Sequence, residues 1–99
     1  MTTEITFRHS EELGHGLKEF AQGLAEALNA EFPPIEYIRV VVDKDGGMYF
    51  AEVSVQGGRG MNAEGTEKHA DGRHAIGEAF KRSERQLRKH LEKLHDHRV

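Results

Sequence analysis

The chain contains no cysteine. That excludes disulfides, thiolate metal sites and cysteine nucleophiles, and makes the reducing cytoplasm the expected location. No apolar run approaches the roughly 20 residues that a membrane helix needs. The opening "MTTEITFRHSEE" lacks the basic segment and apolar stretch of a secretory signal. Proline is scarce: two residues, adjacent at Pro33 and Pro34. The chain is therefore forced out of helix at one point only. Hydrophobic residues make up 36% of the 99 positions, which suits a single domain over residues 1–99 with one modest core.

What is present is strongly periodic. "EITFRH" alternates, with Ile5 and Phe7 on one side and Thr6 and Arg8 on the other, and reads as a half-buried strand. Leu13, Leu17, Phe20, Leu24 and Leu28 recur at helical spacing, up to "FPP". "IEYIRVVVD" places Ile38, Val40 and Val42 on one strand face, and "MYFAEVSVQ" does the same with Ala51, Val53 and Val55. "DKDGG" and "GGRG" are turn chemistry. "MNAEGTE" supplies a short further strand with Met61 and Ala63 inward. From about Ala70 to about His95 a long helix follows, with Ile76, Phe80, Ser83, Leu87, Leu91 and Leu94 on its apolar stripe. The order is β-α-β-β-β-α. It predicts an α+β fold: a four-stranded mixed sheet, its first two strands parallel across a crossover, with both helices packed on one face.

Charge is unevenly distributed. Residues 1–80 carry 7 basic and 14 acidic side chains, net −7, while residues 81–99 carry 7 and 3, net +4. "KRSERQLRKH" at Lys81–His90 concentrates the positive charge. On a wheel of about 100° per residue, Lys81, Arg85 and Arg88 fall on one flank of the exposed face, and Arg82, Lys89 and Lys93 on the other. Arginine forks two donors onto phosphate oxygens and lysine offers a mobile point charge. Such a surface suits a nucleic-acid backbone recognised by shape and phosphate position. A solvated face explains the same charges through pairs such as Glu78–Arg82 and Glu84–Arg88, each adding a few tenths of a kcal/mol. Charge alone leaves both readings open.

Other constellations are weak. The seven histidines include no i, i+4 pair and no H-E-x-x-H, so neither a metal nor a cofactor is expected. "GGRG" lacks the P-loop ending and leads into no helix, so it reads as a hairpin turn. No serine sits in a nucleophile elbow and no acid–base dyad stands out, so no enzyme is expected. Tyr37 and Phe50 are candidates for the open sheet face, where they could stack on bases or touch a protein.

Residues are more telling than charges. "DGRHAIGEAFKRSERQLRKH" resembles the final helix of the ribosome hibernation-promoting factors and ribosome-associated inhibitors, the sigma-54 modulation protein family. Asp71, Ala75, Ile76, Arg82, Glu84–Lys89 and His90 match that family's pattern without a gap, and "ITFRHSEELGHGLKEF" looks like its opening strand and helix, with one extra residue. Arg73, Gly77 and Leu91 stand where the family has tyrosine, aspartate and lysine. The resemblance implies the double-stranded-RNA-binding-domain-like β-α-β-β-β-α fold and a short form lacking the C-terminal dimerisation domain of longer members. It implies a non-enzymatic factor, monomeric when free, that binds the small ribosomal subunit and its rRNA and blocks the messenger and transfer RNA path. DNA and membranes are not expected partners. Carried over position by position, Arg82, Arg85, Arg88 and Lys89 would contact rRNA; the wheel adds Lys81 and Lys93. The first helix is poor in cations, with Lys18 among Glu19, Glu26 and Glu31. The alternative is a divergent protein-binding module of the same fold that no longer binds ribosomes.

Overall fold

Alternating apolar side chains build one face of a four-stranded sheet. The computed structural model describes residues 2–8 and 14–96. Its elements are β1 (Thr2–Arg8), α1 (Gly14–Glu31), β2 (Ile35–Asp45), β3 (Met48–Gly57), β4 (Asn62–His69) and α2 (Gly72–Asp96), with the strands ordered β1-β2-β3-β4. β1 runs parallel to β2, with Ile5 opposite Val40 and Phe7 opposite Val42. The β2–β3 and β3–β4 pairs are antiparallel, aligning Val40 with Val53 and Val53 with Gly65. Ile38, Val40, Val42, Val53 and Val55 are fully buried. Each stabilises the fold by about 1.5–3 kcal/mol relative to an exposed position. This core also takes in residues of both helices, which share one face of the sheet.

Local chemistry sets the element ends. Pro33 cannot continue a helix, and α1 stops at Glu31; the Phe32 amide still donates to the Leu28 carbonyl at 2.9 Å. Gly46 turns β2 into β3 at φ 63°, a conformation that glycine adopts without strain. Asp71 caps α2, its Oδ1 accepting the Arg73 amide at 3.2 Å.

Two expectations shift. The α1 stripe is centred on Ala21 and Ala25, both fully buried, while Leu17, Phe20 and Leu24 pack beside them half-buried. The alanines let the helix approach the sheet, and the larger side chains spread around the contact. Leu13 and the side chain of Leu94, both expected in the core, lie outside the described residues. β4 is also longer than "MNAEGTE", reaching His69.

The opposite sheet face is polar, with the Tyr37 hydroxyl donating to Glu4 Oε2 at 3.2 Å and Arg39 3.8 Å from Glu4. Phe50, on this face, is 40% exposed.

Candidate nucleic-acid interface

Two rows of side chains at four-residue spacing run along the exposed side of α2, stepping about 6 Å per turn. The first is Arg82, Gln86 and His90. The second is Arg85, Lys89 and Lys93.

The first row is drawn into the sheet. β4 is an edge strand, so alternate backbone groups face outward without a strand partner. Gln86 supplies both kinds of partner at once: its Nε2 donates to the Glu64 carbonyl at 2.6 Å and its Oε1 accepts the Glu64 amide at 2.9 Å. One turn earlier, Arg82 Nη1 donates to the Thr66 carbonyl at 2.5 Å and Nη2 lies 3.3 Å from Glu67 Oε2. Arg82 therefore pairs with β4 and not with Glu78, as the spacing had suggested. Glu78 instead takes Lys81, at 3.6 Å.

Arg88 is the most heavily engaged cation. Its Nη2 reaches Glu31 Oε1 at 2.6 Å and Glu84 Oε1 at 2.7 Å, and its guanidinium lies over the Phe32 ring, 5.6 Å from the centroid. It ties the end of α1 to the middle of α2. Its hydrogen bond holds the Glu84 carboxyl below the usual carboxylate range, and the Glu84 carboxylate in turn raises the guanidinium. A carboxylate lowered in the folded state stabilises the fold above its unfolded pKa, and that contribution is lost as pH falls through the lowered value. Arg88→Ala is expected to move the Glu84 titration upward, towards 4.5, and to flatten the acid limb of stability against pH. Carbon-detected carboxyl titration with denaturation between pH 3 and 6 checks both; an unmoved Glu84 refutes the latch.

The second row is different. Arg85, Lys89 and Lys93 are exposed, and no hydrogen bond or ion pair engages them among the described residues. Arg85 and Lys89 line a groove of about 400 Å³ between α2 and β4, together with Arg82, Gln86 and Thr66. Arg85 thus sits with Arg82 and Lys89, across the wheel flank assigned to it beside Lys81 and Arg88. Of the six cations singled out in the sequence, three are neutralised internally and three point to solvent as a line.

Gln86 escaped sequence reasoning, although the i, i+4, i+8 spacing of Arg82, Gln86 and His90 carried the signal. A second pairing also did. His69 ends β4 and His74 opens α2, and the turn brings their rings to 4.0 Å, tilted by 35°. His69 Nδ1 accepts the Asp71 amide at 2.9 Å. Among the described residues no group of three or more His, Cys, Asp or Glu is arranged to hold a metal. None of the described helices is long and apolar enough to cross a membrane.

Residues 3–95 match the sequence profile of the family described as Sigma 54 modulation protein / S30EA ribosomal protein. The chain belongs to that family. The sigma 54 modulation protein / S30EA fold recurs in solved structures. The N-terminal domain of Protein Y from Thermus thermophilus superposes with a TM-score of 0.75 at 22% identity, covering 90% of this chain and 98% of that one. A ribosomal subunit interface protein from Coxiella burnetii gives 0.75 at 16% identity, covering 93% and 99%. At these identities the likeness to either structure is one of fold. A search of curated protein sequences finds no match.

Proposed function

We propose that this member of the sigma 54 modulation protein / S30EA family is a ribosome hibernation factor. It binds the small ribosomal subunit through rRNA phosphates and occludes the messenger and transfer RNA path. It acts in the cytoplasm as a monomeric steric block, without catalysis or cofactor. The observation that carries this is the row Arg85, Lys89 and Lys93: three exposed cations, unpaired among the described residues, in line on a helix whose neighbours are fixed to the sheet. Fixed spacing matters because a helix held against an edge strand has no backbone left to order on binding, and only the side-chain rotamers of its cations must still be immobilised. The name of the Coxiella relative, a ribosomal subunit interface protein, supports the same reading.

Cosedimentation with purified small subunits and whole ribosomes across a salt series tests it. Each neutralised phosphate adds roughly −0.7 to −0.9 to the slope of log affinity against log salt. Three free cations predict a slope of about −2 to −3. Recruitment of all six, with Arg82, Arg88 and Lys81 released from their carboxylates, predicts about −4 to −5. Absence of cosedimentation at low salt defeats the proposal. Exposed Phe50 on the polar sheet face favours the second reading, a protein-binding module that has left the ribosome. A pull-down that recovers one protein and no rRNA selects it.

A further inference from the structure

The row Arg82, Gln86, His90 runs out of strand. Its first two members place their polar atoms on Thr66 and Glu64 of β4. The next step of two residues falls on Asn62, the first residue of β4, and His90 lines a recess beside the Gly57–Met61 turn instead. His90 Nε2 is fully buried there and has no hydrogen-bond partner among the described residues. A buried imidazole nitrogen without a partner is a cost that a bound group can remove.

His90 lines a recess of about 330 Å³ with Pro34, Gly58, Arg59, Met61 and Leu91. That volume is at the small end of ligand sites. Its walls are mostly apolar, from Pro34, Met61 and Leu91, with one imidazole and one guanidinium. Arg59 is held at φ 60°, in the left-handed region that glycine prefers. The neighbours in the turn, Gly57, Gly58 and Gly60, are all glycine. Keeping arginine at this one position costs backbone energy, which points to a use for its side chain. Arg59 is exposed and makes no hydrogen bond or ion pair among the described residues. Lys89 precedes His90 directly, Lys93 follows it by three residues, and both belong to the cation row that is unpaired among the described residues.

We propose that this recess receives one unstacked nucleobase of a single-stranded RNA segment whose backbone lies along Arg85, Lys89 and Lys93. A base has flat apolar faces for Pro34, Met61 and Leu91, a hydrogen-bonding edge that His90 Nε2 meets once the imidazole turns towards the recess, and a neighbouring phosphate for Arg59. Recognition of splayed bases beside phosphate contacts is the usual route to sequence preference in RNA. The proposal rests on the RNA-binding reading above and adds a base contact to its phosphate contacts.

The test compares pentauridylate and pentaadenylate with an abasic ribose–phosphate pentamer of equal charge, at one salt concentration. Affinity and the Met61 methyl resonance are read for the wild type, His90→Ala and Arg59→Gly. At least one base-bearing pentamer should bind about tenfold tighter than the abasic one and shift the Met61 methyl. His90→Ala should remove that preference and leave abasic affinity within twofold. Arg59→Gly, which relaxes the backbone, should fold at least as well and weaken base-bearing and abasic pentamers alike, because it removes a phosphate contact and leaves the base contact in place. Equal wild-type affinity for base-bearing and abasic pentamers, or an unmoved Met61 methyl, overturns the pocket. Failure of every pentamer to bind overturns it too. Ribosome cosedimentation, measured separately, decides whether the wider reading stands.

Discussion

Arg85→Glu combined with Lys89→Glu is expected to lower ribosome affinity by at least about a hundredfold and leave thermal unfolding nearly unchanged. Hydrogen bonds to charged groups contribute roughly 1.5–3 kcal/mol each. Two such losses total about 3–6 kcal/mol, or a hundredfold and more at about 1.4 kcal/mol per tenfold. The new carboxylates add repulsion from phosphate. Both residues are exposed and unpaired among the described residues, so stability should change by no more than about 0.5 kcal/mol. Reversing Arg88 would be a poorer test. It would place a third carboxylate beside Glu31 and Glu84 and loosen α1 from α2 before any RNA were added. Cosedimentation at 100 mM salt, paired with a thermal melt, reads both arms. Undiminished binding by a folded double variant would place the RNA surface elsewhere.

Gly65→Ala is expected to have the largest effect on stability. Gly65 lies on the core face of β4 where α2 crosses it. A Cβ there would stand 2.1 Å from the Ala79 carbonyl oxygen and 3.0 Å from both Arg82 Cβ and the Ser83 amide nitrogen. The nearest of these is helix backbone, which cannot rotate away as a side-chain tip could. The same crossing holds Ser83, fully buried, whose hydroxyl is 3.2 Å from the Val53 carbonyl and equally far from that of Ala79. One methyl must therefore push α2 away from the sheet, at a cost of about 3 kcal/mol, the upper part of the overpacking range. For a domain of this size that lowers Tm by roughly 12–24 °C. The displaced helix also carries Arg82 and Gln86 off β4, so RNA affinity should fall although no cation is altered. A melt within 3 °C of wild type would show that the crossing has slack.

The central strands were the most legible part of the fold. Ile38, Val40 and Val42 face Ala51, Val53 and Val55 across a register that a one-residue slip would invert, so period two alone sets it. The long helix was equally plain from Ile76 to Leu87. β4 was legible as a short strand from "MNAEGTE", with Met61 and Ala63 inward, but not in its full length, because "TEKH" has the composition of a loop. Its strand is made by tertiary contact, with a glycine admitting α2 and Gln86 and Arg82 supplying the missing edge partners. The α1 stripe holds at Leu28, which is buried, and at Leu17, Phe20 and Leu24, which pack against the core; its centre at Ala21 and Ala25 was less legible, because leucine dominates a hydrophobic pattern while alanine marks the closest approach. In the cation cluster, spacing showed the Glu84–Arg88 pair but not the other engagements. Lys81, Arg82 and Arg88 find carboxylates that are near in space, and two of these, Glu67 and Glu31, lie far away in sequence. Arg59 and His90 come together only because β3 and β4 end where α2 overhangs them.

The Gln86 bracket gives α2 a second role, that of a surrogate fifth strand. An edge amide such as that of Glu64 ordinarily exchanges its proton with water through small local fluctuations. Here its partner is a helix side chain, so the amide opens when Gln86 turns away or when α2 lifts from the sheet. Exchange at this one amide therefore reports on the seating of the helix as well as on the edge of the sheet. The same bracket couples the line of cations on α2 to β4.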